Sequence, residues 1–206
     1  MAAIHNFNAG PSILPKSVFE EASQAILNFN DTGLSILEIC HRTSLFQAVM
    51  DEARALVKEL MMLDDEREVL FLHGGASTQF MQVPINLLDD KETAAFTDTG
   101  VWSTKAIKEA KLFGKVEIVC SSRENNFRYI PKDFAVPNDA KYLHITTNNT
   151  INGTQWQKIP KTSNSLVADM SSDILSKVLD FNAFDLIYAG AQKNMGAAGV
   201  NLVVVN

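Results

Sequence analysis

Apolar positions along this 206-residue chain alternate between short unbroken runs and stripes at helical spacing. Val69–Leu72 reads as a short buried strand. Strands are also predicted at Thr93–Thr97, Val116–Cys120, Tyr142–Thr146, Leu166–Asp169, Leu186–Ala189 and Val200–Val205. Between the runs the period changes. After Pro15, a favoured first helical residue, Val18, Phe19, Ala22, Ile26 and Phe29 recur at helical spacing. Asn30 to Leu34 turns, and Ser44 is expected to cap a long helix to Met62 with Ala48, Val49, Ala55, Leu56 and Leu60 inward. Further helices are expected from the His73–Gln79 turn through Leu88, and from Val101 to near Phe113. Ser121 to Ala140, polar and broken by Pro131 and Pro137, reads as a surface excursion. Residues 1–15 show no period and form an N-terminal arm; residues 16–206 form one domain. The alternation of strand and helix predicts an α/β fold, a mostly parallel sheet flanked by helices.

Composition narrows the class. The chain is 46% hydrophobic and 20% charged, which fits a packed core rather than a disordered chain. A net charge of −6 with no basic stripe argues against a nucleic-acid partner. Cys40 and Cys120 form neither a disulfide framework nor a metal-ligand cluster, which favours a reducing compartment. The opening MAAIHNFNAG lacks the basic flank and apolar core of a signal peptide, and no apolar run reaches membrane-spanning length. A cytoplasmic protein with no membrane partner is the expectation.

The chemistry gathers where the predicted strands end. Asp185 to Gly199 places Lys193 as the only charged residue between Asp185 and Asn206, between two apolar runs and among Gly190, Gly196 and Gly199. Burial favours the neutral, nucleophilic form of a lysine amine; a loop lysine reaching water is the plain alternative. His73-Gly74-Gly75-Ala76-Ser77-Thr78 is a strand–turn–helix of small residues, suited to holding an anion at a helix N-terminus, but it lacks the nucleotide-binding GxxxxGK[ST] spacing. Trp102 follows a strand end, where it either fills the core or stacks on a flat ring. Asp169 ends a strand, where a buried carboxylate is costly without a cationic partner. Thr150 adds a hydroxyl. His41 and Arg42, just before a helix, either pair locally or capture an anion. An anion cradle, a flat aromatic, a hydroxyl, a carboxylate and a lysine match the needs of pyridoxal 5'-phosphate.

On NFNAGPSILP near the start, HRT at 41–43, GGASTQF at 74–80, TGVWS at 99–103, NNTINGTQ at 148–155, VADMSSD at 167–173 and AGAQKNMGAAG at 189–199, the chain resembles the phosphoserine aminotransferases. These are class V enzymes of fold-type I that depend on pyridoxal phosphate. The resemblance implies transamination between glutamate and 3-phosphohydroxypyruvate in serine biosynthesis. It makes Lys193 the Schiff-base lysine and proton shuttle, and Asp169 the partner of the pyridine nitrogen. Trp102 would stack on the ring, Thr150 bond its phenolic oxygen, and Ala76, Ser77 and Gln192 bind the phosphate. Arg42, with His41, would recognise the substrate's anionic group. A homodimer acting on small molecules is implied. Family members are longer, so residues 16–206 would be a cofactor-binding large domain incomplete at its C-terminal end, without the small domain. Two other readings follow: a catalytically incompetent cofactor-binding or dimerising fragment, or another class V enzyme such as a cysteine desulfurase, for which no motif marks Cys40 or Cys120.

Overall fold

A computed structural model describes residues 4–206; the first three residues of the expected arm lie outside it. Residues 4–15 hold neither helix nor strand. The elements then run α1 (Lys16–Leu27), α2 (Ser44–Met61), β1 (Glu68–Leu72), α3 (Gly75–Leu87), β2 (Thr93–Asp98), α4 (Val101–Ala110), β3 (Lys115–Ser121), β4 (Tyr142–Thr146), β5 (Asn148–Asn149), β6 (Thr154–Gln155), β7 (Ser165–Asp169), β8 (Leu186–Gly190) and β9 (Asn201–Val205). Seven strands form one sheet in the order β1-β9-β8-β7-β4-β2-β3, while β5 and β6 pair as a separate hairpin. Only β9 runs antiparallel to its neighbours in the large sheet. The other six strands therefore end on one edge, the place where open α/β sheets bind ligands.

Successive residues of a strand face opposite sides of the sheet, and the central strands bury both. On β9, Leu202 and Val204 join one apolar cluster and Val203 the other; on β8, Ile187 and Ala189 oppose Leu186 and Tyr188. Phe80 and Val83 of α3, with Ala106, Ile107 and Ala110 of α4, cover the Tyr188 side. Val57 and Met61 of α2, with Phe181, Phe184 and Trp156 from connecting segments, fill the other.

Four expectations are corrected. The strand Val69–Leu72 is not buried throughout: β1 is an edge strand, with Val69 at 1% exposure but Leu70 at 39%. The cap of α2 is Thr43, whose hydroxyl accepts from the Phe46 N–H, rather than Ser44. The buried face of α2 carries Val57 and Met61, while Leu56 and Leu60 are exposed. Apolar residues occupy two sides of this helix, so spacing alone did not say which one meets the sheet. The 121–140 excursion is not all surface, because Ile130, Phe134 and Val136 pack on the core and Phe134 meets Trp156 edge to face. Of the predicted stripe, Val18, Phe19, Ala22 and Ile26 fall on α1 and none is buried, while Phe29 lies past the helix end and is buried.

Candidate active site

The chemically useful side chains come from strand ends, the turns after them and the first turns of α3 and α4. Asp169 closes β7 and is 4% exposed. Its Oδ1 accepts from the backbone N–H of Ser171 at 3.0 Å and from the Ser171 hydroxyl at 2.6 Å. That hydroxyl in turn accepts from the Gly190 N–H at 3.1 Å, joining the ends of β7 and β8. Burial pushes the Asp169 carboxyl above its ordinary pKa; the two Ser171 bonds and the charge of Lys193 act the other way.

Lys193 follows β8 in a turn closed by the Met195 and Gly196 N–H groups donating to the Ala191 carbonyl at 3.1 and 2.8 Å. Its Nζ donates to Thr150 Oγ1 at 2.7 Å and sits 5.0 Å from the centre of the Trp102 ring. Burial lowers its pKa, and the Asp169 carboxylate opposes that shift. The N-terminal arm packs against this lysine. The Ser12 N–H donates to the Gln192 carbonyl at 2.9 Å, and the Ser12 hydroxyl donates to the Lys193 carbonyl. A Cβ on Gly10 would come within 2.9 Å of Lys193 Cγ, so only glycine lets the arm approach so closely.

Lys193, Asp169, Gln192, Trp102, Ala76 and Ser77 line one cavity. Thr150 stands at the tip of the β5–β6 hairpin, within bonding distance of Lys193. Across the cavity, Gly74 and Gly75 take φ +96° and +67° and lead into the first turn of α3. A Cβ at Gly74 would meet Thr78 Oγ1 at 2.4 Å, so glycine is required there. The first-turn amides of a helix lack intrahelical acceptors, which makes this rim a cradle for an anion. Two cavity-lining side chains carry buried polar atoms with no partner among the described residues, Trp102 Nε1 and Thr146 Oγ1.

His41 and Arg42 lie elsewhere. Both are exposed ahead of α2, in contact with one another at 3.4 Å, and neither lines this cavity. Sequence reasoning missed Thr146, Asn148, Ser171 and Ser172, which also line it. A serine two residues after a strand-end aspartate was a usable sign, since short polar side chains there bond their neighbours' groups. Cys40 and Cys120 do not line the cavity. Among the described residues no cluster of His, Cys, Asp and Glu could hold a metal ion, and no helix is long and apolar enough to cross a membrane.

A mostly parallel sheet with a lysine and a buried carboxylate lining one strand-end cavity narrows the class of protein, and the sequence gives the family. The profile of the family described as "Aminotransferase class-V" matches residues 4–206, and the chain belongs to that family. Among its relatives, phosphoserine aminotransferase from Flavobacterium johnsoniae is 61% identical over 202 residues, covering 98% of this chain and 57% of the relative. The enzyme of that name from Porphyromonas gingivalis is 56% identical over 206 residues, with 98% and 57% covered. A phosphoserine aminotransferase structure determined to follow radiation damage of its Schiff base superposes with TM-score 0.97 at 47% identity, covering 100% of this chain and 58% of that one. A PLP-bound phosphoserine aminotransferase from Trichomonas vaginalis gives 0.89 at 31% identity, covering 97% and 57%. The chain thus spans about 57% of the length of the curated relatives it matches.

Proposed function

We propose that the protein is a pyridoxal-phosphate-dependent transaminase exchanging the amino group of O-phosphoserine with 2-oxoglutarate, in serine biosynthesis. The observation that carries this reading is the pairing of a half-buried Lys193 amine with the buried Asp169 carboxylate across one cavity. The residues fit the cofactor. Trp102 Nε1 and Thr146 Oγ1 are buried and unpartnered, and the Gly74–Gly75 turn opens onto free helix amides. Asp169 keeps Oδ2 free of hydrogen bonds among the described residues, so a cationic ring nitrogen supplies the partner its burial calls for. When bound, pyridoxal phosphate acts as the electron sink that lets a substrate Cα–H bond ionise.

The side chains do the rest. Asp169 holds a proton on the ring nitrogen by its negative charge. Burial shifts Lys193 toward its neutral form, the form that can make the covalent link and move the proton at the substrate's Cα. Thr150 Oγ1 orients that amine, and the Trp102 indole, its centre 5.0 Å from it, would give the cofactor ring a flat wall. The Ala76 and Ser77 amides, with Gln192, receive the phosphate. Arg42 and His41 are assigned to the substrate's anionic group on the strength of their HRT motif. By likeness to the family, the enzyme works as a cytoplasmic homodimer, and pyridoxine biosynthesis is a second pathway for the same activity. Neither Cys40 nor Cys120 lines the cavity, which favours the transaminase reading over a desulfurase using either thiol.

The test uses the protein loaded with pyridoxal phosphate. Borohydride should fix the cofactor on Lys193, as peptide mapping would show, and phosphoserine with 2-oxoglutarate should yield glutamate. Lys193→Ala should lose both, with a fall in turnover of several orders of magnitude. Label on a different lysine, or turnover that survives the substitution, overturns the assignment.

A further inference from the structure

We propose that Asp173 is a positioning residue of this site, pinning the base of the β5–β6 hairpin so that Thr150 reaches Lys193. The inference rests on the reading of Lys193 and Thr150 given above.

Asp173 lies four residues past Asp169 in the turn after β7, and it is 7% exposed. Its Oδ1 accepts from the Thr147 hydroxyl at 2.5 Å, and its Oδ2 accepts from Gln155 Nε2 at 3.0 Å, with Lys177 Nζ 3.9 Å away. Thr147 immediately precedes β5, and Gln155 ends β6 opposite Asn148. One carboxylate therefore holds both legs of the hairpin. The tip closes on itself through the Asn152 and Gly153 N–H groups donating to the Asn149 carbonyl at 3.1 and 2.8 Å. Strands of two residues are marginal by themselves, so anchors outside the hairpin decide where Thr150 stands. Ser172, next in sequence, adds a second tie by accepting from Asn148 Nδ2 at 2.8 Å and donating to the Asn148 carbonyl at 2.9 Å. The Asp169–Asp173 turn thus sets the carboxylate, through Ser171, and the hairpin, through Ser172 and Asp173.

The clamp uses both oxygens of a carboxylate. Thr147 donates to Oδ1 and Gln155 to Oδ2, whereas an asparagine has one acceptor oxygen, so it serves both legs only if the Thr147 hydroxyl turns to the Asp169 carbonyl 3.1 Å away. Burying a second negative charge near Asp169 is costly and raises that neighbour's proton affinity. A clamp with that drawback is explained by what it holds.

The experiment reads Lys193 directly in cofactor-free protein, as the pH dependence of its acylation rate followed by mass spectrometry. The Thr150 oxygen favours the protonated amine. Thr150→Val and Asp173→Asn should therefore each lower the proton affinity of Lys193 by about threefold to tenfold. The double variant Thr150→Val with Gln155→Met, in which no charge changes, should shift it no further than Thr150→Val alone, because both remove the same contact. Gln155→Met, which alters no charge and leaves Asp173 in place, should shift it in the same direction by less, and it serves if Asp173→Asn does not fold. An unmoved midpoint in Asp173→Asn and Gln155→Met, or shifts that add in the double variant, overturns the proposal. Absorbance titration with pyridoxal phosphate separates the two readings. A shifted lysine in protein that takes up no cofactor sinks the transaminase reading alone, whereas normal cofactor uptake with an unmoved lysine sinks this one.

Discussion

Lys193 and Asp169 illustrate how burial and charge oppose one another at single residues. Loss of water disfavours the charged form of each, lowering the amine's pKa and raising the carboxyl's, while each charge partly restores the other. The net direction is toward the neutral form in both, and an added cation beside Asp169 would favour its carboxylate. The two cysteines show the same physics without the chemistry. Burial, and then the negative Asp98 nearby, pushes the Cys120 thiol up to about 12, whereas Cys40 is exposed. At about pH 8, near an ordinary thiol's pKa, iodoacetamide should label Cys40 and leave Cys120 almost untouched in the folded protein. Equal labelling would show that Cys120 is accessible and ionised. Composition disclosed both cysteines but not this difference, because exposure belongs to the fold.

At the scale of elements, helices and strands were legible and their faces were not. The period gave α2 within a residue of its ends, and it put Leu56 and Leu60 inward when the sheet meets Val57 and Met61. Met61→Ala should lower stability by about 2–5 kcal/mol, as for a fully buried long side chain, and Leu60→Ala by about 0.5 kcal/mol or less. Urea denaturation of the two variants checks this, and a larger loss at Leu60 would reverse the assignment of the faces. At β1 the apolar run Val69–Leu72 has the pattern of a buried central strand, but an edge position hides only one side. The cradle before α3 was readable because Gly74 and Gly75 are needed for their left-handed backbone. The hairpin carrying Thr150 was not, since its strands are too short to leave a period.

Across the whole molecule, the sheet brings remote groups into one low-dielectric interior. His144 on β4 is 2% exposed, stacks on Phe96 at 4.8 Å and bonds Tyr188 Oη through Nε2 at 2.9 Å. Burial lowers its pKa from 6.5 to about 3. Between those values the unfolded chain binds a proton that the folded chain refuses, so stability falls as pH falls through the window. Asp169, with its raised pKa, contributes the opposite slope at the acid end, and the histidine is therefore read by difference. Urea midpoints of His144→Gln should fall less steeply than those of the unsubstituted protein between pH 6.5 and about 3. Parallel curves would mean that the imidazole is not held neutral.

The sequence by itself determined the alternation of strands and helices, and hence a mostly parallel sheet. It also placed Asp169, Lys193 and the glycine turn at element ends, because period, chain-turning residues and isolated charges are local properties. Only the tertiary structure decided that β9 enters antiparallel between β1 and β8 and that Thr150 meets the lysine. It also decided that Ser171 and Asp173 hold the parts in place and that His41 and Arg42 stand apart from the cavity. Thr150 with Lys193 and Asp173 with Thr147 are contacts between residues far apart in the chain. Register and packing set them, and neither leaves a period in the sequence.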